Sequence, residues 1–209
     1  MDAAAEVSDR PRCWWSGATA LRPDARMVAY HDEEWGRPCH DDTELFERLV
    51  LETFQAGLSW STILNKRENF RTAFRGFDPA TVAAFDEADR ARLMADAGIV
   101  RNRAKIDATI GNAARFVETA AAFGSFDAYL ASMVPAPPSR MRPGTGSGDI
   151  PSTTPASDAL SADLKRRGFR FVGSTVVYAF MQSVGLVDDH LPGCFRYAGD
   201  GLGGDAARS

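Results

Sequence analysis

The sequence has few of the residues that stabilise small secreted proteins. Only three Cys and three His occur among 209 residues, and three thiols can close at most one disulfide bridge. A chain of this length can bury enough apolar surface to fold without disulfides, so we expect a reduced, cytoplasmic setting. It has no run of 18 apolar residues, and its polar start, MDAAAEVSDRPR, lacks the apolar stretch of a secretory signal. These absences argue against membrane spans and export.

Charge is unevenly distributed along the chain, whose formal net charge is −4. Residues 1–60 carry 12 acidic and 6 basic side chains, whereas residues 61–209 carry 16 acidic and 18 basic ones. The basic clusters are Lys165, Arg166, Arg167 and Arg170, and Arg101, Arg103 and Lys105. Each cluster can be a solvated helix face or a patch that neutralises several phosphates. Overall acidity argues against a protein that coats nucleic acid indiscriminately.

Apolar residues at spacings of three and four predict a helix over 43–66, capped by Asp41 or Asp42. Further helices are predicted at 67–75, 79–85, 87–96, 102–122 and 125–132. Ser157 is the predicted N-cap of a helix that Gly168 ends, and Gly173-Ser174-Thr175 open another that runs to Gly185. Strand-like alternation is scarce. The predicted fold class is all-α, with one reservation, the β-prone segment VVYAFM.

One helical domain is predicted over residues 11–197. Within it, the Gly-, Pro- and Ser-rich stretch at 135–153 predicts a mobile loop. Disordered tails are expected at 1–10 and 198–209.

His190 and Cys194 are four residues apart in HLPGC, so one turn can direct both side chains at a single ion. The other soft ligands are Cys13, His31, Cys39 and His40. A second pair among them would complete a Cys2His2 site, which suits Zn²⁺ and leaves no position for an activated water. Such a site would be structural. Buried free cysteines and ordinary surface histidines are the alternative.

Seven segments, in order, resemble DNA-3-methyladenine glycosylase I. They are CWW (13–15), AYHDEEWG (29–36), QAGLSW (55–60), DAGIVRNRAKI (96–106), TPASDAL (154–160), RGFRFVGST (167–175) and GLVDDHLPGC (185–194). The resemblance spans residues 11–197 and implies an all-α helix-hairpin-helix fold with a structural zinc. By motif it assigns the zinc ligands to Cys13, His31, His190 and Cys194, whereas Cys39 and His40 drop out. Trp35 is expected to pack beside the zinc.

The substrate that the resemblance implies is N3-methyladenine in double-stranded DNA, excised to leave an abasic site. Such chemistry requires the base to leave the stack and enter a pocket. Glu52 matches the residue that recognises the base edge, Tyr30 and Gln55 match neighbouring polar contacts, and Trp15 and Trp60 would offer stacking faces. Without the resemblance, Glu52 can equally be a polar residue on a helix face, and each Trp can equally be core.

The resemblance also assigns DNA contacts to two segments. RGFRFVGST is similar to a hairpin that grips the DNA backbone, where N–H groups near Gly173, Ser174 and Thr175 bind a phosphate. Lys165, Arg166 and Arg170 would strengthen the positive field there. Gly57 and Leu58 match the position that enters the gap left by the flipped base, although Leu58 can instead be a core residue. We expect a monomer that acts on DNA of the nucleoid.

Alkylation at N3 makes the purine cationic and therefore a good leaving group. We expect water to attack C1′ with no lysine nucleophile and no lyase step. The chain departs from its relatives at Asp188, which can orient water or serve as a solvated acid, and at Thr53-Phe54, whose bulk can alter tolerance for N3-methylguanine.

Two other functions are compatible with the same residues. A zinc-stabilised module can recognise lesions without cutting them, and a zinc hydrolase would require an open metal position.

Overall fold

The computed structural model describes residues 10–18, 23–134, 138–142 and 144–197. The predicted tails therefore lie outside the described residues except for Arg10, as do residues 135–137 and 143 of the predicted loop. In the described part, no helix is long and apolar enough to cross a membrane.

The described chain is mostly helical, as predicted. Its helices are α1 (Ala25–Glu33), α2 (Asp42–Gln55), α3 (Trp60–Ala73), α4 (Pro79–Ala83), α5 (Glu87–Ala95), α6 (Arg103–Phe123), α7 (Phe126–Met133), α8 (Pro155–Arg166) and α9 (Ser174–Ser183). Two-residue strands β1 (Ser139–Arg140) and β2 (Val187–Asp188) pair in parallel, with Ser139 opposite Val187. Single 3-10 turns lie at Trp14–Ser16, Arg75–Phe77 and Ser147–Asp149.

The chain forms two compact units. The helical unit comprises Cys39–Ala136 and Ser152–Met181, and thus α2 to α8 with most of α9. The terminal unit comprises Met1–Pro38, Pro137–Pro151 and Gln182–Ser209, and thus α1, β1 and β2.

Aromatic side chains dominate the core of the helical unit. Helix α6 contacts α2, α4, α5 and α7. Phe116 on α6 stacks on Phe126 with ring centroids 3.9 Å apart and meets Phe46 edge-on at 5.2 Å. All three rings are buried. Such ring pairs add about 0.5–1.5 kcal/mol each beyond the apolar area that they bury.

The helix predicted over 43–66 is wrong, because the chain breaks between α2 and α3 at residues 56–59. Gly57 adopts a φ of +87°, which ends the first helix, and the Ser59 side chain accepts a hydrogen bond from the N–H of Thr62 as the N-cap of the second. The separate helix predicted at 67–75 is also wrong, since α3 runs continuously to Ala73. Glu47 and Arg67 pair across the two helices at 2.5 Å.

The other helix ends differ in smaller ways from the predictions. Asp41 caps α2, as one of the two predicted candidates. The N-cap of α8 is Thr154 and not Ser157, whose hydroxyl oxygen instead accepts a hydrogen bond from the N–H of Thr154 in a capping box. Helix α1, capped by Asp24, was not predicted. The β-prone VVYAFM segment is helical in α9.

The predicted loop at 135–153 contains β1 and one 3-10 turn. The N–H of Met141 donates to the carbonyl oxygen of Asp188 at 3.4 Å, which extends the pairing with β2. Mobility of this segment stays a prediction.

Gly185 packs closely against the backbone that follows α1 in the terminal unit. Its φ is +75°, and a Cβ there would lie 2.4 Å from the carbonyl carbon of Arg37 and from the nitrogen of Pro38. Nearby, the N–H of Gly36 donates to the carbonyl oxygen of Gln182 at 2.9 Å. Only glycine allows this approach, which places the segment after α9 against the segment after α1.

We expect Gly185→Ala to lower the free energy of unfolding by about 3 kcal/mol, because left-handed strain adds to a backbone clash. Gly124→Ala is the matched control, since Gly124 also has a positive φ (+93°) but a Cβ added to it would meet no atom within 4 Å. Gly124→Ala should lower the free energy of unfolding by only about 1 kcal/mol. Denaturant unfolding of both variants measures the difference, and equal losses would contradict the close packing.

Candidate functional site

Four side chains of the terminal unit meet in a buried cluster with the geometry of a metal site. The ligand atoms of Cys13, His31, His190 and Cys194 all lie within 4.8 Å of one another. The Cys194 Sγ is 3.4 Å from His31 Nε2 and 3.6 Å from His190 Nδ1, and the Cys13 Sγ is 3.7 Å from His190 Nδ1. These are the four residues that the resemblance assigned.

The spacing of these atoms fits a tetrahedral zinc ion. Zinc–sulfur bonds of about 2.3 Å and zinc–nitrogen bonds of about 2.0 Å place the S and N ligands about 3.5 Å apart. The N–H groups of Leu191 and Arg196 donate to the sulfurs of Cys13 and Cys194, each at 3.4 Å, and thereby stabilise thiolate charge. The donor set therefore fits zinc in residue type, number and distance.

The second nitrogen of each histidine is also hydrogen-bonded, which fixes the orientation of both rings. His31 Nδ1 is 2.7 Å from an Asp32 carboxylate oxygen, and Arg12 Nε donates to the same oxygen at 2.8 Å. His190 Nε2 lies 3.2 Å from the carbonyl oxygen of Trp35. These partners leave His31 Nε2 and His190 Nδ1 as the nitrogens for an ion, as in many metal sites. Sequence reasoning missed Arg12 and Asp32.

One of the two cysteines, Cys194, is shifted towards the thiolate form, whereas the hydrogen bond to Cys194 raises the pKa of Cys13. The pKa of Cys194 lies far below its usual range because the Cys13 thiol donates a hydrogen bond to it, with help from His190 and His31. Burial raises the pKa of Asp32, but hydrogen bonds from Arg12 and His31 hold it below its ordinary value overall. Thiolate is the form of cysteine that binds metal ions.

Two tryptophans pack against the cluster. The Trp35 ring meets His190 edge-on at 4.7 Å, as expected from the sequence, and Trp15 meets His31 at 5.2 Å. Trp15 also lies 4.7 Å from Trp35 and 6.2 Å from Tyr30. Trp15 packs directly against the Cys2His2 cluster, and Tyr30 packs against Trp15.

Cys39 and His40 lie in the other unit and do not join the cluster. The His40 ring is instead 3.1 Å from the Asp127 carboxylate.

Glu52 is a buried acid in the last turn of α2. Its side chain is 5% exposed, and in the described part of the chain no group donates a hydrogen bond to its carboxylate. Burial raises its pKa to about 8. The end of a helix also disfavours negative charge. An acid held under these conditions is costly for the fold and is typical of a functional site.

The segment between α2 and α3 forms a hydrogen-bonded turn next to Glu52 in the sequence. The N–H of Leu58 donates to the carbonyl oxygen of Gln55 at 2.7 Å, and the Gln55 side-chain amide returns a bond to Leu58 at 3.3 Å. Leu58 is 39% exposed, so it is not a core residue. Gly57 is also exposed, and the half-buried Trp60 begins α3.

Lys105 is a functional candidate whose position matches neither sequence alternative, a solvated helix face or a phosphate-binding patch. It is buried on α6, and its ammonium group donates to the carbonyl oxygens of Phe54 at 2.9 Å and Ala56 at 2.8 Å. A cation therefore binds the last carbonyl groups of α2, where the helix dipole favours positive charge. Burial lowers its pKa. Nothing in the local pattern distinguished it from Arg103, which pairs with Asp107 on the surface.

Residues 167–173 form a tight hairpin between α8 and α9, as predicted. Gly168 adopts a φ of +90°. The Asn112 side chain donates to the carbonyl oxygen of Arg170 at 2.9 Å and accepts from its N–H at 2.8 Å. The Ser161 hydroxyl donates to the carbonyl oxygen of Val172 at 2.6 Å. Buried side chains thus hold the hairpin on both sides.

Exposed cations surround this hairpin, although part of their charge is neutralised. Lys165 and Arg170 are exposed, whereas Arg166 and Arg167 pair with Asp163. At the start of α9, Gly173 is half-buried and Thr175 is exposed. The Ser174 hydroxyl contacts Ser157 and Asp158, so only the backbone of Ser174 is available to a phosphate.

Asp188 on β2 is engaged within the terminal unit. One carboxylate oxygen accepts a hydrogen bond from the N–H of His190 at 3.3 Å, and the other is 3.8 Å from Arg140 Nε. Burial raises its pKa.

The chain is similar to characterised proteins over most of its length. The family model described as methyladenine glycosylase matches residues 20–197. DNA-3-methyladenine glycosylase 1 of Escherichia coli (strain K12) is 48% identical over 189 residues, which cover 90% of this chain and 98% of that protein.

Solved structures agree with this match. A crystal structure of 3-methyladenine DNA glycosylase I superposes with a TM-score of 0.82 at 46% identity, covering 89% of this chain and 99% of that one. A structure on 3-methyladenine recognition by the Staphylococcus aureus enzyme gives 0.79 at 38% identity, covering 83% and 92%. The resemblance drawn from the seven segments is confirmed. The chain belongs to the methyladenine glycosylase family and is a DNA N-glycosylase.

Proposed function

We propose that the protein removes N3-methyladenine from alkylated double-stranded DNA by hydrolysing the N-glycosidic bond, which leaves an abasic site. The observation that carries this proposal is the buried Glu52, whose carboxylate has no donor among the described residues. An alkylated adenine offers both a positive charge and an exocyclic amine that donates hydrogen bonds. The flipped base would thus supply what the fold withholds from Glu52.

Recognition by charge explains why burial of this acid is useful. With a pKa of about 8, Glu52 is mostly protonated at neutral pH before substrate binds. A cationic base in the same apolar surroundings favours the ionised carboxylate, whereas an unmodified, neutral adenine does not. Glu52 therefore discriminates against normal bases, because ionising its buried carboxyl group without a neighbouring cation costs free energy.

Other side chains complete the proposed contacts. Gln55 lies three residues after Glu52 on α2 and so shares its side of the helix. Trp60 would stack on the electron-poor ring, which contributes about 1–3 kcal/mol per base. The roles of Tyr30 and Trp15 as substrate contacts rest on the sequence resemblance.

In the proposed reaction, the bond between C1′ and the purine nitrogen breaks and its electron pair neutralises the cationic base. The sugar develops oxocarbenium character, and water adds to C1′ and loses a proton. An ionised Glu52 stabilises positive charge while it forms, an effect that is strong in a site of low dielectric constant.

A lyase step is not part of the proposal, and the lysines support this. The sequence contains only Lys66, Lys105 and Lys165. The first two donate hydrogen bonds to backbone carbonyl oxygens, and Lys165 lies on the exposed end of α8. An amine nucleophile would need to be free to attack C1′ next to the base.

Two segments of the helical unit are proposed to hold the DNA. The hairpin at 167–173 would bind the backbone through N–H groups at the start of α9, with Lys165 and Arg170 attracting phosphates. Leu58, exposed on a turn with Gly57, would enter the gap that the flipped base leaves. Lys105 anchors the start of that turn, because its ammonium group donates a hydrogen bond to the carbonyl oxygen of Ala56.

The Cys2His2 cluster would hold zinc through Cys13, His31, His190 and Cys194. With four protein ligands the ion would have no position for water, so it would supply folding stability and not catalysis. This argues against a zinc hydrolase. The contacts of Asp188 with His190 and Arg140 favour a packing role over the orientation of water.

Release of free base distinguishes a glycosylase from a module that only binds lesions. Incubated with methylated duplex DNA, the protein should release N3-methyladenine, identified by mass spectrometry of the small-molecule fraction. Glu52→Gln should lower the single-turnover rate by about 100-fold, because it removes charge from the transition state. Binding to DNA with an abasic-site analogue should persist in the variant. Equal rates would remove Glu52 from the mechanism, and binding without any released base would support the non-cutting module.

The raised pKa of Glu52 also predicts a dependence of stability on pH. Since its folded pKa of about 8 exceeds its ordinary value of 4.5, the folded state binds a proton that the unfolded state releases between these values. The contribution of Glu52 to the free energy of unfolding is largest below pH 4.5. It declines by up to about 1.4 kcal/mol per pH unit as the pH rises towards 8. Denaturant unfolding at pH 5, 6.5 and 8 should show Glu52→Gln gaining on the parent protein as pH rises. A constant difference would mean that the carboxyl is not desolvated.

Zinc binding is tested by comparing two buried cysteines. Cys13→Ser should reduce the zinc content of the purified protein, measured by elemental mass spectrometry, and lower its stability by roughly 3 kcal/mol or more. Cys39→Ser is the matched control, because Cys39 is buried but outside the cluster. It should retain about one zinc ion per chain. Metal-free parent protein of unchanged stability would refute the structural role.

A further inference from the structure

Phe171, at the tip of the hairpin between α8 and α9, combines an unusual backbone conformation with an exposed ring. Its φ is +57° and its side chain is 40% exposed. In a residue other than glycine, left-handed backbone is strained by contact between the Cβ and the following carbonyl oxygen. The described chain has such a φ at two further residues, Arg75 and Phe77. Phe77 is fully buried and stacks on Phe74 at 5.6 Å, so core packing accounts for its conformation. Core packing does not account for Arg75, which is exposed in the 3-10 turn after α3, or for Phe171.

Buried side chains hold the residues on either side of Phe171. Arg170 is held through its N–H and its carbonyl oxygen by Asn112, which is 3% exposed. Val172 is buried, and its carbonyl oxygen accepts a bond from Ser161, which is 2% exposed. Both flanking peptide groups are thus fixed by buried side chains, and Phe171 between them adopts the left-handed conformation. The fold therefore maintains a strained position and occupies it with a large exposed aromatic residue.

The charge around the ring indicates what it meets. Arg170 precedes it directly, and Lys165 lies in the last turn of α8; both are exposed. An apolar ring beside cations is complementary to a DNA backbone, where apolar faces of deoxyribose alternate with phosphates. A protein partner with an acidic surface would need a larger apolar patch than one ring provides.

We propose that the Phe171 ring packs against a deoxyribose of bound DNA, next to phosphates that Arg170 and Lys165 contact. This deepens the proposed function of the hairpin and rests on it. The contact is independent of sequence, because every nucleotide has the same sugar. It adds affinity without charge, so it differs from a phosphate contact in its response to salt.

The test compares Phe171→Ala, Phe171→Gly and Phe171→Tyr with the parent protein. The affinity for duplex DNA carrying an abasic-site analogue is measured over a range of salt concentrations, and thermal unfolding is followed in parallel. Val117 on α6 provides the control, since it is 39% exposed but lies within a regular helix. Val117→Ala and Val117→Gly are prepared alongside.

Loss of the ring should weaken DNA binding by about tenfold in both Phe171→Ala and Phe171→Gly, whereas Phe171→Tyr should bind like the parent. The slope of log affinity against log salt should not change. In Arg170→Ala, by contrast, that slope should fall by about 1, as expected when one phosphate contact is lost.

Stability should separate the strain from the contact. Phe171→Gly should unfold at a temperature about 2 °C or more above Phe171→Ala, because glycine adopts the left-handed conformation freely. At Val117 the order should reverse, since glycine weakens a helix interior relative to alanine. Both Val117 variants should bind DNA like the parent.

Binding of Phe171→Ala within twofold of the parent would refute the contact. Failure of the parent itself to bind the DNA or to release base would instead refute the proposed function, and release of base is measured on the same preparations. A salt slope lowered by Phe171→Ala would assign its effect to displaced cations and would likewise overturn the proposal.

Discussion

Burial of one carboxyl group, that of Glu52, is the constraint on which the proposed chemistry depends. An acid in the last turn of an apolar helix opposes both the hydrophobic core and the helix dipole. Lys105 partly offsets this cost, because its ammonium group binds the free carbonyl oxygens at the same helix end. It does so without pairing with the acid, since burial alone shifts the pKa of each group. The carboxyl thus remains available for the cationic base of the proposed function.

The terminal unit consists of short elements joined by irregular segments. Its elements include one nine-residue helix and two-residue strands. Arg12, Asp32 and His31 form a chain of charged hydrogen bonds that begins before α1 and ends at the ligand cluster. A bound zinc would convert this local order into folding free energy, because the ligands come together only in the folded state. The close approach at Gly185 then links the segments after α1 and α9.

How much of this could be predicted depended on whether a feature is local in sequence. Hairpin glycines, the cap at Asp41 and most helix positions are set by neighbouring residues, and these predictions were largely correct. The break after Gln55 was missed because the apolar spacing continues through Leu58. Gly57, whose positive φ ends the helix, does not interrupt that spacing. The metal ligands were beyond local reasoning: His190 and Cys194 suggested a pair, and only the family resemblance selected their partners. The role of Lys105 was also beyond local reasoning, since the carbonyl oxygens that it binds belong to residues 51 and 49 positions away in the chain.

Ion pairing within the chain limits how strongly this acidic protein attracts polyanions in general. Many arginines form ion pairs with nearby acids: Arg67 with Glu47, Arg92 with Asp89, Arg115 with Glu118 and Arg167 with Asp163. Such pairs create little long-range positive potential, so indiscriminate attraction to polyanions is weak. Binding must then depend on a few exposed cations and on contacts that carry no charge. The proposed contact of the Phe171 ring would meet that need, because its contribution would persist at salt concentrations that screen the phosphates.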